Sequence, residues 1–243
     1  YQGVEARKAY FFMGDAMVCM GSGIKAARTQ EVRTSVNQCL ANGEVTYGLS
    51  GHTYRLTNNL SDKNIDWAYH DNVGYIFPQN ESVTLRKAKQ TGAWRELEVT
   101  ASDKPVTKEI FSLWVSHGTT PQHEDYCYII MPDKPLSYFT DKKFENEIKI
   151  IVNSEQIQAI SNENKRQYAA VFYEPGEIRF AEDLVVTVNK KVIIYIEKKD
   201  KQYEIAVADP LYKEQSLQLS MNGEQINIVF PSGDYSGSSV IKH

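Results

Sequence analysis

SLQLSMNGEQINIVFP, residues 216–231, decides the fold class. Apolar residues alternate on both sides of Asn222-Gly223: Leu217, Leu219 and Met221 before it, Ile226, Ile228 and Phe230 after it. A period of two puts such residues on one face of a strand. Asn-Gly is the dipeptide that best tolerates the two left-handed positions of a tight hairpin turn. The segment therefore reads as two antiparallel strands joined by a two-residue loop.

The same grammar extends upstream through AYFFMGDAMVCMG (9–21), VRTSVNQCL (32–40), VGYIFP (73–78), SVTLRKA (82–88), IFSLWVSHG (110–118) and DYCYIIMP (125–132). It continues through EIKIIVNS (147–154), IQAISN (157–162), QYAAVFYE (167–174), EIRFA (177–181), LVVTV (184–188), KVIIYIEKK (191–199) and KQYEIAVADP (201–210). Gly14-Asp15, Asn42-Gly43, Asn189-Lys190 and Ser232-Gly233 punctuate these runs as turns. Short strands at such regular spacing predict an all-β protein built as antiparallel β-sandwiches. One stretch interrupts them: PDKPLSYFTDKKFENEI (132–148) carries two prolines and many charges with little alternation. It reads as the joint between a first domain, residues 1–145, and a smaller second one, residues 146–243. All three tryptophans and four of the five histidines precede it.

The 243 residues suffice for a sizeable core, and 42% hydrophobic with 24% charged residues is ordinary for a globular chain. Fifteen tyrosines lift the aromatic share to 11%; a flat apolar face with a polar tip suits strands and sugar-facing surfaces alike. A net charge of -4, with both signs interspersed, offers no basic field for nucleic acid. No apolar run approaches the ~18 residues of a membrane span. Cys19, Cys39 and Cys127 form neither a disulfide framework nor a CxxC pair, so each reads as a small apolar strand residue, with a Cys19–Cys39 bridge as the alternative. The opening YQGVEARKAYFF lacks a signal-peptide pattern and reads as mid-domain sequence, with more chain expected upstream.

Four constellations invite a chemical reading. In NIDWAYHDNVGYIFP (64–78), His70 and Asp71 carry the residue types of a general base and its orienting carboxylate. Neighbours on a strand face opposite ways, however, so Asp71-Asn72-Val73-Gly74 is expected to be a turn, with Trp67 and His70 packed over its base. In SLWVSHGTTPQHEDY (112–126), His117, His123, Glu124 and Asp125 are ligand types for zinc, but at a spacing that fits a strand–loop–strand connection and no metal pattern. Glycines 14, 21 and 23 precede no helix N-terminus and cradle no phosphate. Finally, in TLRKAKQTGAWRELEV (84–99), Arg86, Lys87, Trp94 and Arg95 form a candidate substrate-binding set. Cations would meet carboxylates or sulfates while the indole stacks on a sugar; the alternative is an exposed hairpin with solvated charges. No catalytic residue, metal site or cofactor site is assigned.

The ordered series ARKAYFFMGDAMVCMGSGI, VRTSVNQ, DWAYHDNVGYIFP, TGAWRELE, IFSLWVSHGTTPQHEDYCYIIMP, IQAISN and VADPLYKE resembles the C-terminal half of the family 8 polysaccharide lyases, nearest the chondroitin AC type. The family also holds hyaluronate and xanthan lyases. The resemblance implies the end of a galactose-mutarotase-like β supersandwich followed by a smaller C-terminal β-sandwich, with a helical α/α toroid upstream as the partner of both. It implies β-elimination on an acidic polysaccharide such as chondroitin sulfate or hyaluronan, without a cofactor, in a secreted or periplasmic bacterial enzyme. The family's Asn, His, Tyr and Arg lie in the toroid and its Glu upstream of the motif at Ala6-Arg7-Lys8, so the resemblance makes His70 scaffold. The segments 48–59 and 136–144 are expected to be variable loops. The alternative to a lyase portion is a non-catalytic carbohydrate-binding β-sandwich.

Overall fold

A computed structural model describes residues 3–27, 30–200 and 202–243. Its elements are almost all strands. They run β1 (Val4–Met13), β2 (Ala16–Ala26), β3 (Arg33–Leu40), β4 (Val45–Leu49), β5 (His52–Arg55), β6 (Leu60–Lys63), β7 (Trp67–His70) and β8 (Val73–Ile76). Next come β9 (Val83–Gly92), β10 (Val106–Ser116), β11 (Glu124–Pro132) and the short helix α1 (Leu136–Thr140). The series ends with β12 (Lys149–Asn153), β13 (Ile157–Asn162), β14 (Gln167–Phe172), β15 (Gly176–Ala181), β16 (Leu184–Val188), β17 (Val192–Lys199), β18 (Gln202–Ala208), β19 (Ser216–Met221), β20 (Glu224–Val229) and β21 (Val240–Lys242).

The chain forms two compact units that divide between Lys143 and Phe144, except that residues 7–13 and 20–23 of the β1–β2 hairpin group with the second. A seven-stranded sheet runs in the order β1-β2-β11-β8-β7-β4-β5, and a four-stranded sheet in the order β3-β10-β9-β6 lies wholly in the first unit. Its core includes Val83, Leu85, Phe111, Leu113, Val115, Tyr126 and Tyr128. Strand β10 shows why: Phe111, Leu113 and Val115 are buried with even-numbered Trp114 and Ser116 less so, the half-buried alternation of a two-layer sandwich. Cys19 and Cys127 are buried and all three cysteines are free thiols, so no Cys19–Cys39 bridge forms.

The second unit contains a six-stranded sheet in the order β12-β13-β14-β17-β18-β21 and a four-stranded sheet in the order β15-β16-β19-β20. Leu217, Leu219 and Ile228 from the β19–β20 hairpin join Val192, Ile194 and Ile196 of β17 in its core. Asn222 and Gly223 have φ of 52° and 88°, the two left-handed positions that the dipeptide predicts. Arg7 donates to the Glu155 carbonyl and lies 5.1 Å from the centre of the Tyr173 ring, while Tyr173 donates to Gln158 at 2.7 Å. These contacts give the ARK and IQAISN motifs a structural role within this unit.

Three expectations change. The turn near residue 71 is only Asp71-Asn72, at φ 49° and 63°. Val73 and Gly74 already pair with His70 and Tyr69 as strand residues. The segment 48–59, expected as a loop, holds strand: β4 and β5 pair from Thr46↔Arg55 to Leu49↔His52. The stretch 136–144 also holds an anchor, because Phe139 of α1 is fully buried against Trp67 and Tyr69, with ring centroids 5.9 and 5.5 Å away. Gly74 makes room for it, since a Cβ there would sit 1.9 Å from the Phe139 ring.

Candidate functional site

The four-stranded sheet turns its apolar row inward and a polar row outward. On β10 the outward residues are Ser112, Trp114 and Ser116. Ser112 pairs with Gln38 on β3 and with Arg86 on β9, so Gln38, Ser112 and Arg86 form one row across three strands. Trp114 pairs with Ser35 on one side and Thr84 on the other, giving the next row. A β-bulge on β3 between these rows leaves Val36 without a partner in the register. Outward positions on β3 therefore switch from Arg33 and Ser35 to Gln38, and the local twist increases.

Arg33, Ser35, Gln38, Arg86, Ser112 and Trp114 line a shallow groove of about 250 Å³. The Arg33 guanidinium lies 4.6 Å from the centre of the Trp114 ring, a cation–π contact. Glu31 holds it there by accepting Arg33 Nε–H at 2.7 Å and also the Ser116 hydroxyl. Those donors, Arg33 first, keep the Glu31 carboxyl below its ordinary range. Arg33 is thus a neutralised, fixed plate over the indole. Arg86 differs: it is exposed, and no hydrogen bond or ion pair engages it among the described residues. The Trp114 Nε1–H is buried with no acceptor. The groove therefore offers a ligand oxygen a free guanidinium, two hydroxyls and an amide.

The four residues singled out in the sequence do not converge. Arg86 enters this groove, whereas Lys87, next along the strand, faces the other way, donates to the Gly43 carbonyl at 2.8 Å and pairs with Glu109 at 3.5 Å. Trp94 and Arg95 belong to a 3-10 turn beyond the end of β9. Six extended residues separate Arg86 from Gly92, about 20 Å of strand. Trp94 is 61% exposed beside Gly92, Leu97 and Val106, and Arg95 pairs with Asp103 at 3.7 Å. Sequence reading missed Arg33, Gln38 and Trp114 as groove residues. They stand far apart in the chain, and only strand register brings them together.

Two histidines of the first unit are engaged in packing and hydrogen bonds. His70 is 1% exposed, stacks on Phe111 at 4.3 Å and accepts the Asn42 N–H at Nε2, 3.0 Å. That acceptor role assigns its proton to Nδ1, which faces Cys39 Sγ at 3.8 Å. Burial pushes its pKa down, against the pull of Asp71. His117 shares a 2.8 Å hydrogen bond with Thr34. No group of three or more metal-ligating side chains occurs among the described residues.

Residues 1–143 match the polysaccharide lyase family 8 super-sandwich domain, and residues 149–218 match the C-terminal beta-sandwich domain of the same family. The chain belongs to polysaccharide lyase family 8. Among family 8 relatives, chondroitinase-AC of Pedobacter heparinus is 30% identical over 251 residues, covering 99% of this chain and 35% of that protein. The hyaluronate lyase of Thermasporomyces composti is 25% identical over 235 residues, 93% of this chain and 29% of the relative. A chondroitinase AC lyase solved in enzyme–oligosaccharide complexes superposes with a TM-score of 0.91 at 27% identity, covering all of this chain and 37% of that one. A Paenibacillus xanthan lyase shares the fold at a TM-score of 0.78 and 22% identity, over 89% of this chain and 22% of its own. The chain therefore spans between 22% and 35% of the length of the curated relatives it matches.

Proposed function

We propose that this chain is the β-rich portion of a secreted or periplasmic lyase that cleaves uronate-containing glycosaminoglycans by β-elimination. In that reaction a base removes the C5 proton of the uronate, the 4-linked oxygen leaves with a proton, and an unsaturated sugar remains. Membership of family 8 across both units carries the reading. The proton-moving groups are assigned to polypeptide outside these residues, within a helical toroid. His70 supports that assignment, because its Nε2 is committed to a backbone N–H and its ring is sealed under Phe111. The part of this chain is to hold the acidic polymer. Arg86 would meet a carboxylate or sulfate, with Gln38 and Ser35 meeting hydroxyls.

Affinity for chondroitin sulfate, measured across a salt series with wild type and Arg86→Ala, tests the groove. The reading predicts binding that weakens with salt, and a variant about tenfold weaker with a shallower salt slope. Equal affinity of the two proteins at every salt concentration would remove the groove from the proposal. A non-catalytic carbohydrate-binding role gains support from the groove and predicts no lyase activity in any longer form of the protein.

A further inference from the structure

The motif VADPLYKE builds a second surface that the lyase reading leaves unused. Strand β18 ends at Ala208, and Asp209 follows with only 3% of its surface exposed. Its carboxylate accepts three backbone N–H groups, from Leu211 at 2.9 Å, Lys213 at 2.7 Å and Glu214 at 2.8 Å. Burial alone would raise this carboxyl, but the three donors outweigh it and hold the group below its ordinary range. The loop is thereby wound around a buried charge.

Tyr212 lies within that loop at a φ of 56°, a left-handed position that bulky side chains rarely adopt. Its ring rests on Gly237, where any Cβ would come within 1.7 Å of a ring carbon. Gly237 itself has φ 85°. A buried carboxylate, a strained backbone and a glycine thus combine to fix one aromatic ring, yet that ring remains 69% exposed. Core packing gains little from the arrangement. Strain held in place by surrounding structure is the signature of a positioned contact.

Beside the ring opens a cavity of about 440 Å³, within the range of small-molecule sites. Phe230 and Pro231 line its apolar part, and Lys213, Gln215 and Ser232 carry its polar rim. Glu214 is also present, but its carboxylate is tied to Lys190 at 2.6 Å. Asp209 lines it as well, its carboxylate bound by the loop's own N–H groups, which leaves Lys213 as the rim charge without a side-chain hydrogen bond or ion pair among the described residues. A tyrosine face, an apolar floor and a polar rim with one unpaired cation match one pyranose of an acidic glycan: C–H face on the ring, hydroxyls and carboxylate toward Lys213.

We propose that this cavity in the second unit is a glycan-binding subsite, with Tyr212 as its stacking platform and Lys213 as its anion contact. It does not use the Arg86 groove and does not require the chain to belong to an eliminase. The probe is a chondroitin sulfate hexasaccharide, titrated calorimetrically into wild type, Tyr212→Gly, Tyr212→Phe and Arg86→Ala. Glycine relieves the left-handed strain, so Tyr212→Gly should keep or raise the melting temperature while weakening binding about tenfold. Tyr212→Phe should bind within about threefold of wild type, because the stacking face survives. Tyr212→Gly in the Arg86→Ala background should remove the affinity that Arg86→Ala leaves. Unchanged affinity in folded Tyr212→Gly, or no detectable binding by wild type, would overturn the proposal; loss on Arg86→Ala alone would instead place all binding in the groove and overturn it as well.

Discussion

Glu81 should make the first unit less stable as pH rises, an effect that Gln at the same position should erase. The side chain is 6% exposed and its Oε1 accepts the Cys127 N–H at 2.7 Å. Burial pushes its carboxyl up to about 7, with Asp125 and Glu124 adding to the rise and the Cys127 N–H opposing it. In the unfolded chain the group ionises near its ordinary 4.5. Below that value both states are protonated and no penalty exists. As pH rises from 4.5 to 7 only the unfolded state loses its proton, so stability falls, and above 7 the loss is complete. A gap of about 2.5 units corresponds to about 3 kcal/mol at most. Glu81→Gln keeps the shape and the acceptor without the charge. Urea denaturation followed by tryptophan fluorescence suits the test, because Trp67, Trp94 and Trp114 all lie in the first unit and report on it alone. The variant should match wild type at pH 4.5 and exceed it by about 1–3 kcal/mol at pH 8. A difference independent of pH, or a variant less stable at pH 8, would refute the assignment of a buried, proton-holding carboxyl.

His70 carries the opposite sign: its lowered pKa means stability present above the unfolded value of 6.5 and lost as pH falls through the folded value. His70→Phe keeps a ring on Phe111 but orphans the Asn42 N–H, so it should cost about 1–3 kcal/mol at pH 8, with the gap to wild type narrowing toward pH 5; a constant gap would contradict a buried neutral imidazole. Gly74→Ala should cost about 1–3 kcal/mol in the same urea assay, since its Cβ meets the sealed Phe139 ring at 1.9 Å. Part of that loss should return when Phe139→Leu is added, and a purely additive double variant would show that the two residues do not share the space.

What the sequence disclosed and what it hid follow from the same physics. Strands with one buried face announce themselves, as β17 does with Val192, Ile194 and Ile196 inward and Ile193 outward. Strands exposed on both faces do not: His52–Arg55 of β5 is exposed throughout and exists because β4 offers it an edge. Helix α1 spans five residues, too few for a periodic stripe, and its meaning rests on Phe139 alone. Trp94, with Arg95 beside it, stands beyond the far end of β9 from Arg86. The groove indole is Trp114, whose neighbours Arg33 and Gln38 change parity at a bulge, and no sequence period survives such a slip. Arg86 was legible as a cation on a strand; its lack of a counter-charge was not.

The most direct measurement follows the absorbance of unsaturated uronate when chondroitin sulfate is mixed with this chain, and separately with the polypeptide that the whole gene encodes. The account predicts a flat trace for the chain and a rising one for the whole product. A rise with the chain alone would put the proton-moving groups among these strands, and a flat trace from both would contradict the lyase assignment itself.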